Sequence, residues 1–198
     1  MSRKRIFLVI FPLIFGVLIY MLFRSKNLLY FKLLNHLSLD TPILEIRKYT
    51  KLIRPAIPNW VIYSLPDGIW LFSMGSAMLL HRIFFPGIQL IYTGIYVVMV
   101  IIEVIQFYFG GHGTLLGTFD LMDLLCFSVG YILASFLGYY FWKKNDSNEY
   151  YKYKYEKYVL KITDYHLKDI KYAETLNTIF LVIIFSIIGF LPSLVKFS

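Results

Sequence analysis

Four carboxylates, Asp67, Glu103, Asp120 and Asp123, lie between Pro55 and Trp142, where Arg82 is the one cation. Glu103 stands in an otherwise uncharged apolar stretch, 88–109, about 9 Å of helical rise from its end. That is too deep for helix capping. Gln106, three residues on, falls on the same helical face and adds a second polar group. An acid at membrane depth is costly and ordinarily faces a cavity or a polar partner. A hydrogen bond to a neighbouring helix would be its structural use; a polar cavity would be its functional one. Asp120 and Asp123 follow across an uncharged, glycine-rich connection, 110–117, that carries His112. Converging with Glu103, they have the chemistry to hold a divalent cation through oxygen ligands. They are equally suited to sharing protons between neighbouring acids, or to binding a cationic or hydroxyl-rich headgroup. His112 reads either as a solvated loop residue or as a contributor to that cluster. Local explanations compete for the other acids. Ser64 precedes Asp67 by three residues with Pro66 between, the pattern of a capped helix start. Asp120 and Asp123 fit an N-cap and a first-turn acid.

No nucleophile stands beside a base in this pattern, so it specifies no reaction. The glycine-rich connection lacks the Lys-Ser/Thr ending of a phosphate-binding loop. The expectation is a binding protein rather than an enzyme, without a cofactor. Candidate binding residues are Asp67, Glu103, Gln106, His112, Asp120 and Asp123.

The elements that must position these residues are apolar helices. Of 198 residues, 58% are hydrophobic and 16% charged, against about 25% charged in a soluble domain. The chain reads as a single all-α membrane domain, 1–198, a polytopic bundle of about five transmembrane helices with one or two interfacial amphipathic helices. The first span, 6–23, follows Arg3-Lys4-Arg5 and has no small-residue cleavage site after it, so it reads as a retained signal anchor. Further spans are expected at 68–85, 88–109, 121–142 (closed by Lys143-Lys144) and 176–195. Segment 27–63 is broken by Pro55 and Pro58 and holds Trp60 and Tyr63, which suit headgroup depth. Segment 145–175 places Tyr151, Tyr155, Tyr158, Ile162 and Tyr165 at helical spacing beside a lysine stripe, as in a helix lying on an anionic membrane face.

The net charge of +8 is concentrated at the borders of the apolar runs. That is the distribution of a membrane protein rather than of a nucleic-acid binder. Membrane lipids, and other membrane subunits, are the expected partners. Cys126 is the single cysteine, so no intramolecular disulfide forms, and its apolar setting suits a small buried hydrophobe. Five spans put the termini on opposite sides. The lysine and arginine bias favours a cytoplasmic N-terminus, with connection 110–117 facing outward. Gly130, Ala134 and Gly138 recur every fourth residue and form one stripe of small side chains. Such a stripe admits a close helix neighbour within the bundle, or alternatively a homodimer seam.

The run Ile102-Glu103-Val104-Ile105-Gln106, followed by Gly117-Thr118-Phe119-Asp120-Leu121-Met122-Asp123 and then Gly130, resembles the signature of VanZ-like membrane proteins. That family shows a Glu-x-x-Gln pair ending one helix, a short loop, an Asp opening the next helix, and a Gly seven residues later. Asp123 and Gly130 keep that spacing. The family's loop arginine is absent here, and Phe127 stands where the family has asparagine. The resemblance covers roughly 30 of the 198 residues. It implies a small helical bundle in a bacterial cytoplasmic membrane, tied to the cell envelope and to glycopeptide (teicoplanin) resistance, a family without an agreed activity. Three functions are consistent with these readings: an acidic pocket for a lipid or envelope-precursor headgroup, a non-catalytic accessory subunit of a larger membrane complex, and a carboxylate-metal hydrolase or transferase.

Overall fold

The structure is a computed structural model that describes residues 3–24, 31, 35–36, 40–80, 84–111, 118–146 and 164–190. Among the described residues the regular structure is entirely helical: α1 (Arg3–Phe23), α2 (Asp40–Ile53), a 3-10 turn (Arg54–Ala56), α3 (Asn59–Tyr63), α4 (Leu65–Leu79), α5 (Phe85–Phe109), α6 (Leu121–Asp146) and α7 (Asp164–Phe190). Three stretches are long and apolar enough to cross a membrane: Ile6–Phe23 of α1, all of α5, and Leu121–Lys144 of α6.

Among the described residues the other two expected spans are shorter than these three. α4 has 15 residues, about 22 Å, against a hydrocarbon core of about 30 Å. It also does not fill the expected span 68–85. It starts earlier, at Leu65, and stops at Leu79, where Leu80 turns to extended backbone. Pro66 sits in its first turn, and the next helix opens with Pro86 in the same position. Toward the C-terminus, the expected division between a surface helix ending at 175 and a span starting at 176 is absent. α7 runs unbroken from Asp164 to Phe190, because no Gly or Pro interrupts it before Gly189. Its apolar part among the described residues, Tyr172–Ile188, is shorter than the three long spans. Segment 27–63 contains α2, the 3-10 turn at Pro55, and α3 after Pro58. The tyrosines 151–158, His112 and Arg82 lie outside the described residues.

α4 is the centre of the bundle. It packs most extensively on α6 and α1, and also meets α5 and α7. Its length is buried through Pro66, Gly68, Leu71, Ser73, Met74 and onward to Leu79. Small residues make this possible. A Cβ at Gly68 would lie 2.5 Å from the Cys126 carbonyl oxygen, and one at Gly130 2.3 Å from the Gly68 carbonyl oxygen. Gly75 leaves room for the Tyr92 ring and Ala134, and Gly138 for Leu79. The Gly130/Ala134/Gly138 stripe is therefore the α6 half of a seam with α4, inside one chain. Contacts advance together along both helices, so α4 and α6 run parallel. α1 runs antiparallel to α4, with Gly16 on Pro66 and Ile69.

Many large apolar side chains of the other helices point outward. Phe7, Phe11 and Phe15 of α1, Val98 and Ile101 of α5, Ile132 and Phe136 of α6, and Phe180 and Ile183 of α7 are all exposed. A seam closed by small residues, with bulky apolar residues also covering the outside, is the arrangement of a protein whose solvent is hydrocarbon.

Candidate functional site

The helix directions gather four helix ends at one end of the bundle: the C-terminal turns of α1 and α5 and the first turns of α4 and α6. Tyr20 and Arg24 come from the first, Asp67 from α4, Glu103 from α5, and Asp120 and Asp123 from the start of α6. Ser64 joins them from the residue that links α3 to α4.

Asp67 does not serve as part of a capped helix start. Ser64 holds helical backbone angles and makes no side-chain cap hydrogen bond, because α3 and α4 are nearly continuous through it, with Gly68 N–H donating to the Ser64 carbonyl. The Asp67 carboxylate instead accepts the Tyr20 hydroxyl at 2.6 Å, across helices, and faces Arg24 and Asp123. Asp120 does cap: its Oδ1 accepts the Met122 N–H at 2.9 Å, the expected bond from the second residue of a helix. Asp123 sits in the first turn of α6, within reach of Ser64, Asp120 and Arg24.

Glu103 is only 5% exposed. Its carboxyl faces the Asp120 backbone N–H and the carboxylates of Asp123, Asp120 and Asp67. Its Oε2 is buried and has no hydrogen-bond partner among the described residues, and the same is true of Asp123 Oδ1. Gln106 is half-buried one turn further on. The structure thus brings Asp67, Glu103, Asp120 and Asp123 into one cluster.

Tyr20, Arg24 and Ser64 belong to this cluster and escaped the sequence reading. Arg24 is the cation of the site. Its guanidinium lies 4.1 Å from the centre of the Tyr20 ring and 5.2 Å from that of Tyr63, and it donates to the Tyr63 carbonyl at 2.6 Å. A tyrosine four residues before an arginine at the end of a span was the available signal, since that spacing stacks the two on one helical face. The end of α1 is held in turn by α2. Arg47 donates to the carbonyls of Met21 (2.6 Å) and Arg24 (2.7 Å), and Thr50 to that of Leu22 (3.3 Å). These are carbonyls that a helix C-terminus leaves without partners. Burial lowers the pKa of the Arg47 guanidinium from its ordinary value.

A second polar region lies away from the acids, between α5 and α6. Gln89 donates to Ser135 (2.9 Å) and Tyr131 (3.3 Å), Thr93 and Tyr131 share a 2.8 Å bond, and Tyr96 pairs with Ser128 at 2.9 Å. The Tyr96 and Tyr131 rings stack at 4.4 Å. Gln89 and Thr93 at helical spacing in an apolar run were the sequence signal for it.

Among the described residues, no group of three His, Cys, Asp or Glu side chains is arranged to hold a metal ion. Asp67 and Asp123 face the Arg24 guanidinium, while Glu103 faces the other acids. Comparison with protein-family models, with curated proteins and with solved structures finds no match to this chain.

Proposed function

We propose that the chain is a VanZ-like integral membrane protein whose acidic cluster, at the outer end of the bundle, binds a lipid or cell-envelope precursor headgroup. In this reading α4 and α7 complete five crossings of a bacterial cytoplasmic membrane, the N-terminus is cytoplasmic, and α2 lies in the outer interface. Ile46, Tyr49, Leu52 and Ile53 of α2 are exposed, and they offer the apolar side that an interfacial helix sets into the headgroup boundary.

One observation carries the proposal: the buried Glu103 oxygen without a hydrogen-bond partner, beside three further acids. A buried polar group without a partner costs about 1–3 kcal/mol, more when charged, so a ligand that donates to it has a ready source of affinity. The test is native mass spectrometry of detergent-extracted wild type and Glu103→Gln. Co-purifying lipid should fall at least about tenfold in the variant, the equivalent of about 1.4 kcal/mol. Unchanged lipid together with unchanged melting would remove the reading.

The accessory-subunit reading draws on a different feature. Phe107, Tyr108 and Phe109 are exposed at the same end of the bundle, with Phe107 edge-on to Phe119 at 5.2 Å. Aromatic groups of this kind are enriched in interfaces between proteins. Co-purification with a larger membrane protein at fixed stoichiometry, lost on Phe107→Ser, would favour it. The seam of small residues gives that reading no support, because α4 occupies it.

A further inference from the structure

At Glu103 the acidic cluster holds a buried acceptor that none of the side-chain donors of its described residues serves. Of the donors among the described residues, the Tyr20 hydroxyl serves Asp67, the Met122 N–H serves Asp120, and the Asp120 N–H faces Glu103. Arg24 donates to the Tyr63 carbonyl and lies against two rings, with its Nε–H buried and, among the described residues, unpartnered on the side of Asp67 and Asp123. Glu103 Oε2 and Asp123 Oδ1 then remain buried without partners among the described residues, while the Ser64 hydroxyl and Arg24 lie toward Asp123 and not toward Glu103. Glu103 is more than nine-tenths buried, so bulk water does not solvate this oxygen.

Ionised carboxylates accept and never donate. A phosphate or carboxylate ligand would add acceptors and negative charge to a site already rich in both. A neutral polyol would supply donors but no positive charge to four acids that share the cluster's single described cation, Arg24. A quaternary ammonium would supply charge and no N–H. A primary ammonium supplies one positive charge and three rotatable donors.

We propose, resting on the headgroup reading above, that Glu103 and Asp123 receive a primary ammonium group of the ethanolamine type. The group comes either from an aminophospholipid or from a free small amine.

The experiment uses the full-length chain purified in detergent. Phosphatidylethanolamine, phosphatidylcholine and phosphatidylglycerol of identical acyl chains are added in separate samples, and soluble ethanolamine in a fourth. Retention is read by native mass spectrometry and stabilisation by thermal melting. Phosphatidylethanolamine should be retained at least about tenfold over the other two lipids, the scale expected of hydrogen bonds to charged groups. Glu103→Gln should bring the three lipids to within about twofold of one another. Ethanolamine that stabilises the protein and displaces the lipid identifies the ammonium alone as sufficient. Lipid retention that ethanolamine does not displace identifies the aminophospholipid as the source. Equal retention of all three lipids, still dependent on Glu103, overturns the ammonium assignment and leaves the headgroup site standing. Retention independent of Glu103 overturns both. Should Glu103→Gln fail to fold, Asp123→Asn takes its place, and the headgroup preference of the wild type decides the ammonium question without any variant.

Discussion

Tyr20 and Asp67 are 47 residues apart in the chain and 2.6 Å apart across two helices. A hydrogen bond to a charged acceptor contributes about 1.5–3 kcal/mol, so Tyr20→Phe is expected to lower detergent-phase melting by a stability loss of that size. Asp67→Asn made in the Tyr20→Phe background should then cost less than in wild type. A double-mutant cycle measures the difference, and additive losses would show that the pair does not couple. Residue types told part of this story. Glu103 stood out because its depth in an apolar run has no capping explanation, and the structure keeps it buried. Asp67 misled, because Ser64-x-x-Asp67 with Pro66 is a sound local pattern for a helix start. The near-continuity of α3 and α4 makes a cap unnecessary there, and a partner from α1 takes the carboxylate. Local sequence carries no information about that partner.

Helices meet here through what they lack. At Gly68 and Gly130 the missing side chains allow backbone to touch backbone, and any Cβ would meet a carbonyl oxygen. Gly68→Val or Gly130→Val should force α4 and α6 apart, with a loss of about 1–3 kcal/mol or more, read as aggregation or lowered melting. Gly94 has open space around it, so Gly94→Ala should be neutral or stabilising by up to about 1 kcal/mol. Equal damage from both kinds of substitution would refute the seam. The end of α1 offers a second test at this scale. Arg47→Met keeps most of the side-chain volume and removes two donors to the α1 carbonyls. It should destabilise by about 1–3 kcal/mol, and hydrogen exchange should rise first in the last turn of α1. The four-residue recurrence of Gly130, Ala134 and Gly138 was legible as a close-packing stripe. Its partner was not, since any helix with small residues would satisfy it.

For the molecule as a whole, the two ends of α6 should lie on opposite sides of a membrane. With Cys126 replaced by alanine, Thr118→Cys and Lys143→Cys provide one thiol each. An impermeant thiol reagent applied to intact cells should label the first and not the second. The reverse pattern would invert the orientation, and labelling of both would deny that α6 spans. The solvent was legible in the chain alone: apolar runs of this length, with Lys and Arg gathered at their borders, suit hydrocarbon. The sequence by itself also determined that Glu103 needs a polar neighbour, because transfer free energies depend on residue type and depth alone. Tertiary structure decided the rest. It alone placed short α4 at the centre, turned the small stripe of α6 onto it, and stacked Arg24 between Tyr20 and Tyr63 among the acids. Those choices depend on which helix faces meet, and in lipid the apolar faces are nearly equivalent to one another. Close backbone approach and buried hydrogen bonds therefore set the arrangement, and both are properties of pairs of helices rather than of any single stretch of chain.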